Sequence, residues 1–90
     1  MERFQEREKI NLLNNSKISF GIITSKSKPA YNRGAGVRYK YFVDNNVYES
    51  GFEEVNMECL NSLKTGDTIT IRYAKKKYNI SEFLESYWRN

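Results

Sequence analysis

Seven basic side chains and two aromatic rings are the residues here best suited to holding a ligand. Lys26, Lys28, Arg33 and Arg38 fall in residues 17–40, which carry six basic residues and no acid, and Lys75, Lys76 and Lys77 form a second cluster. Cations at this density hold phosphate oxygens, and rings beside them stack on bases, the combination by which small barrels bind single strands. Tyr31 and Phe42 are the candidate stacking rings, with Tyr78 a third aromatic beside the triple lysine. The two basic clusters would form one site only if the first long loop and the last connection share a rim. Residues 41–63 oppose this reading, because their five acids and no base repel a polyanion from one side. A basic rim also has a plain structural use, since lysines on an edge strand discourage sheet-to-sheet pairing.

Catalytic chemistry finds little support. The chain has no histidine, so Ser-His and Cys-His nucleophile pairs are ruled out, as is a cysteine–histidine metal cluster. Glu53, Glu54 and Glu58 are the available carboxylates, and they read as the solvated side of a turn and short helix. Arg33-Gly-Ala-Gly36 has neither the G-x-G-x-x-G spacing nor a GK[ST] ending and precedes a strand, so it is no phosphate loop. Cys59, the one cysteine, reads as a buried inert thiol and rules out an internal disulfide.

The elements that must position these groups are legible from pattern. Ninety residues make one domain, and 14% aromatic content, with seven Tyr and five Phe, predicts a core built from rings as much as from aliphatics. The net charge of +4 is distributed as a dipole, basic then acidic then basic. No apolar run reaches the roughly 20 residues of a membrane span, and the start MERFQEREKINLLNN is too charged for a signal peptide. As written, the chain is expected in the cytoplasm, or at a membrane-associated envelope if it is a fragment of an anchored protein.

Residues 2–14 read as a helix ended by Asn14-Asn15-Ser16. Lys17–Lys26 reads as a strand in which Ile18, Phe20 and Ile22 share one parity, with Gly21 on the other as a candidate bend. Ser27–Gly36 is a loop. The stretch VRYKYFVDNNVYESGF then alternates as a hairpin about Asp44-Asn45 or Asn45-Asn46, either of which keeps each residue on the same face; the first puts Tyr41 opposite Tyr48, Phe42 opposite Val47, Lys40 opposite Glu49, Tyr39 opposite Ser50 and Val37 opposite Phe52. Tyr39, Tyr41, Tyr48 and Phe52 then share a core face with Val37 and Val43. Phe42 falls on the other face, beside Arg38 and Lys40, and needs a covering helix or a partner.

Further on, Glu53–Leu63 reads as a short helix capped by Asn56, with Met57, Leu60 and Leu63 inward. Lys64–Asp67 is a turn, and Thr68–Tyr73 a strand with Ile69, Ile71 and Tyr73 inward. Ala74–Tyr78 reads as a solvated connection and Asn79–Trp88 as a terminal helix with Ser81 as N-cap.

Tyr39, Tyr41, Val43, Tyr48, Gly66, Asp67, Ile69, Ile71, Tyr73 and Ser81 together resemble the pattern of a widespread group of small bacterial β-barrel domains of unknown function, over about residues 18–84. Members of that group often sit behind an N-terminal membrane anchor, and no activity is implied by membership. This sequence departs in having a charged N-terminal segment and Lys75-Lys76-Lys77 in place of the usual proline-containing run.

The expected fold is therefore mainly β: a small curved antiparallel sheet or half-barrel, SH3- or OB-like, of about four or five strands with short N- and C-terminal helices. The expected division is a helical segment over 1–16 and a barrel with a C-terminal helix over 17–90. The expected function is that of a non-enzymatic binding or protein-interaction module, its partner another protein or a second copy. The alternative is a single-stranded nucleic-acid-binding barrel. Neither reading calls for a cofactor or metal.

Overall fold

A computed structural model describes residues 9–84. Residues 9–13 are helical (α1), and the chain then enters β1 (Ser16–Ser27). The remaining elements are β2 (Gly36–Val43), β3 (Asn46–Glu49), β4 (Glu53–Glu54), α2 (Met57–Ser62), β5 (Thr68–Ala74) and β6 (Lys77–Phe83). All strand pairs are antiparallel, in the order β3-β2-β1-β5-β6, with β4 also paired to β2. The sheet curls into a half-barrel, mainly β as the sequence pattern requires. Among the described residues no helix is long and apolar enough to cross a membrane.

The hairpin takes the register of the Asp44-Asn45 turn, with Tyr41 opposite Tyr48, Phe42 opposite Val47 and Lys40 opposite Glu49. Its turn residues Asp44 and Asn45 have φ of 50° and 72°, the two positive angles a type I′ turn demands and short polar side chains tolerate. Beyond Glu49 the register changes. Ser50 donates its N–H to the Tyr39 carbonyl while its Oγ accepts the Tyr39 N–H, and Val37 then pairs with Glu53. Phe52 is thereby displaced from the core face where alternation puts it. Its ring lies instead over Gly36, under the Arg33 guanidinium at 4.7 Å.

The core gathers Ile23, Val37, Tyr39, Tyr41, Val43, Ile69, Ile71 and Phe83 inside the curve, with Val55, Cys59, Leu60 and Leu63 closing one end. Asn56 caps α2 as expected, accepting the Cys59 N–H at 2.7 Å. Cys59 is buried, as the sequence predicts, but Met57 is exposed, because the helix turns Cys59 and Leu60 inward. Burying Leu60 contributes about 1.5–3 kcal/mol. The Lys64–Asp67 turn forms, closed by Asp67 N–H to the Lys64 carbonyl, with Gly66 at φ 97°.

The reading of 79–88 as a helix is corrected over the described part. Lys77–Phe83 is strand, paired with β5 after the two-residue turn Lys75-Lys76. Ser81 is no N-cap but a buried strand residue. A helical count of Phe83 and Leu84 competed with an alternation of Ser81 and Phe83, and the unpaired edge of β5 decided it, since each residue added there gains ladder hydrogen bonds. Residues 85–88 lie outside the described residues, as does the 2–8 part of the N-terminal helix.

The parity of β1 also has its consequence. Gly21 and Ile23 face the core, so Ile18, Phe20 and Ile22 lie on the outer face. The irregularity in β1 falls between Ile23 and Ser25, not at Gly21.

Candidate functional sites

The two predicted basic clusters do not meet. Lys75, Lys76 and Lys77 turn at the start of β1, where the Lys75 N–H donates to the Asn15 carbonyl. Lys26, Lys28 and Arg33 lie at its far end, where Ser27 pairs with Gly36, so the length of β1 separates the clusters. Lys26 moreover donates from Nζ to the Leu63 carbonyl at 2.5 Å and serves the end of α2. Arg33 is committed to Phe52, and Tyr31 stands almost fully exposed at the tip of a tight turn between Ala30 and Arg33. Arg38 pairs with Ser25 beside Lys26 but points to the outer face with Phe42.

Three regions remain as candidates. The first is the mouth of the half-barrel. Tyr41 stacks on Tyr48 and Tyr73 at 5.7 and 6.4 Å, and Tyr78 meets Tyr48 and Tyr73 edge-on at 6.3 and 5.6 Å. The Tyr41 hydroxyl donates to the Tyr78 carbonyl at 2.7 Å, which ties β2 to β6 across the open side. Tyr48, Tyr78 and Asn79 with Lys75 and Lys76 line an open cleft of about 420 Å³ here. Four tyrosines are thus a packed stack, and only its outer rings border solvent.

The second is the seam between residues 50–53 and β6, a cleft of about 200 Å³ that α1 reaches with Lys9. Glu53 is not on a solvated side. Its Oε1 accepts the Phe83 N–H at 2.7 Å, and the carboxyl faces the Tyr39 hydroxyl, itself 2.9 Å from Ser81 Oγ. Burial pushes the Glu53 carboxyl above the usual glutamate range, with Glu82 adding to the rise, while the Phe83 N–H, Tyr39 and Lys9 pull it back. Burial likewise raises the Tyr39 phenol well above its usual range and the Tyr41 phenol in the same direction. Sequence pattern missed this cluster because Glu53 follows a register change no local signal announces.

A raised carboxyl costs the folded state its ionised form. The Glu53 contribution to stability is complete at pH below the ordinary glutamate range and is lost as pH rises through the raised folded value. Glu53→Gln keeps an oxygen for the Phe83 N–H and removes the charge, so it should raise the melting temperature at pH 7 and change it little at pH 4. Thermal melts at the two pH values decide this; a variant that melts lower at pH 7 than the wild type refutes the assignment.

The third region is the outer face of the sheet. Ile18, Phe20, Phe42 and Val47 are 61%, 67%, 47% and 56% exposed. Phe42 pairs with Val47, and one residue beyond the Gly21–Tyr41 pair the same register brings Phe20 beside Phe42. Phe20 in turn pairs with Thr70, and Ile18 with Arg72. The result is an apolar row across β3, β2 and β1, with Ile18 one step along. Two cations of this face lie against acids, Lys40 opposite Glu49 in the ladder and Arg72 bridged to Glu82 at 2.6 Å, while Arg38 lies further along β2. Of the predicted site residues, Phe42 and Arg38 belong to this face.

No family model, curated protein or solved structure matches the chain, so the likeness to small barrel domains rests on the chain's own residues.

Proposed function

We propose that the protein is a small non-enzymatic interaction module that docks an apolar protein surface on the outer face of its sheet. The observation that carries this is the contiguity of Ile18, Phe20, Phe42 and Val47, all exposed, on one side of three paired strands. Together they leave roughly 400 Å² of apolar surface in water, the size at which a patch is commonly functional. Strands with one buried face normally turn polar residues outward, and this sheet does so on β5 with Thr68, Thr70 and Arg72. Glu49 opposite Lys40 and Glu82 bridged to Arg72 leave Arg38 as the cation of β2 with no acid opposite it in the ladder, which favours protein over polyanion there.

A second reading is supported by the barrel mouth, where the Tyr48 and Tyr78 rings border the same cleft as Lys75 and Lys76. There a single-stranded nucleic acid would find stacking rings and cations together.

One comparison tests both. Wild type and Phe20→Lys/Phe42→Lys are immobilised and their protein partners compared; the docking face predicts a partner held by the wild type and lost from the variant. Equal recovery by both proteins removes that reading. In parallel, a mixed single-stranded oligonucleotide is titrated at about 50 and then 200 mM salt. Amide shifts confined to residues 75–79 that fade with salt would establish the mouth as the binding site.

A further inference from the structure

We infer that the barrel mouth is a site for a single nucleotide carrying a terminal phosphate group. The inference rests on the nucleic-acid reading of the mouth and narrows it from a strand to one base with its phosphate. Its basis is the angle between the rings that border the cleft. Proteins that hold a strand lay successive bases on successive aromatic rings. Here Tyr78 stands at 85° to Tyr48 and at 85° to Tyr73. Tyr41, tilted only 24° from Tyr48, is fully buried within the stack. A base stacked on Tyr48 or Tyr78 is therefore met at right angles by the other ring. Among the described residues lining the cleft there is no third ring to take the next base. A cleft of about 420 Å³ also lies at the lower end of small-ligand sites, which suits one nucleotide and not a run of them.

Charge sets the ligand's direction. Lys75 and Lys76 line the cleft, and no carboxylate is among its described lining residues. These two lysines form the turn between β5 and β6, which the Lys75 N–H anchors by donating to the Asn15 carbonyl at 2.9 Å. At the other end Asn79 also lines the seam cleft, where Glu53 is one of the walls. The phosphate therefore takes the lysine end. The base takes the end at Asn79, whose amide offers both donors and an acceptor to a base edge.

The site is in place before the ligand arrives. The Tyr41 hydroxyl holds the Tyr78 carbonyl at 2.7 Å, and Tyr48 and Tyr78 pack on the inner rings, so little ordering is left to binding. The second basic cluster lies a length of β1 away and offers nothing to the next phosphates of a strand.

Amide shifts of the full chain are followed at about 50 mM salt, where phosphate contacts are strong. The probes are adenosine monophosphate, adenosine, inorganic phosphate, and a mixed single-stranded oligonucleotide with and without a 5′-phosphate. Adenosine monophosphate should shift Tyr48 and residues 75–79, and adenosine or phosphate alone should bind at least ~10-fold more weakly. Lys75→Ala/Lys76→Ala should weaken the monophosphate about 10-fold and leave adenosine unchanged. Both lysines are exposed, so this variant should keep the wild-type melting temperature. Tyr78→Leu should weaken adenosine and the monophosphate alike. Tighter binding of the monophosphate than of the phosphorylated oligonucleotide identifies a free nucleotide as the ligand, and the reverse identifies a strand end; either supports the site. Inorganic phosphate that matches the monophosphate in affinity overturns the inference, since the rings would then contribute nothing. An oligonucleotide that binds equally with and without its 5′-phosphate, and more tightly than the monophosphate, overturns the single-nucleotide site and leaves the single-strand reading standing. Absence of shifts at residues 75–79 with every probe overturns both.

Discussion

Gly36→Ala should lower the stability of the fold by about 2–3 kcal/mol, within the usual cost of overpacking a filled site. A methyl group at this position would lie 2.2 Å from two atoms of the Phe52 ring and 2.8 Å from the Glu53 carbonyl oxygen. The ring has little room to retreat, because the Arg33 guanidinium sits over it at 4.7 Å. The carbonyl belongs to β4, whose two residues are held by pairing with Gly36 and Val37. Relief therefore requires β4 to move away from β2, and Glu53 with it. For a domain of this size, 2–3 kcal/mol corresponds to a melting temperature about 10–20 °C lower. Gly51→Ala is the control, since a methyl group there meets nothing within 4 Å. Thermal melts of both variants check the argument, and a Gly36→Ala protein that melts with the wild type would show that β4 yields freely.

The faces of the hairpin were legible because strict alternation from Val37 to Glu49 keeps them under a turn at either Asp44-Asn45 or Asn45-Asn46. The structure takes the first, with positive φ at Asp44 and Asn45 and Lys40 opposite Glu49. The sequence fell silent one step later. Ser50 satisfies both backbone groups of Tyr39, one of them with its side chain, and that substitution shifts everything after it by one residue. Phe52 and Glu53 exchanged faces as a result, and the seam cluster became visible only in three dimensions.

The candidate sites divide in the same way. Phe42 was recognisable as an outward aromatic from its own parity, but Phe20 was not, since an Ile-Phe-Ile strand reads as core until Gly21 and Ile23 are seen to be inside. Lysine clusters show in composition, but their separation along β1 is a property of the topology. The strand at Asn79–Phe83 carried a weak local preference that the edge of β5 overrode.

Tyr39→Phe should cost about 1–2 kcal/mol although it deletes one oxygen, because the hydroxyl it removes serves buried polar neighbours that cannot turn to water. The ring itself is fully buried and stays in place. Ser81 Oγ loses its 2.9 Å partner inside the barrel, and Glu53 loses the hydroxyl that helps to hold its carboxyl down. Three elements meet at this point, β2 through Tyr39, β6 through Ser81 and β4 through Glu53, so the hydroxyl helps to set how tightly the sheet closes at the seam. The penalty should be shared rather than summed. Once Ser81 is Ala, its half of the loss has already been taken, and Tyr39→Phe added to Ser81→Ala should cost less than on its own, by roughly 0.5 kcal/mol or more for groups in contact. Denaturant unfolding of the two single variants and the double measures that coupling directly. Strict additivity would mean the three groups do not act as a unit, and the curvature that presents Phe20 on the crest would then have to be held by the Tyr41–Tyr48–Tyr73 stack and the Tyr41 bond to the Tyr78 carbonyl instead.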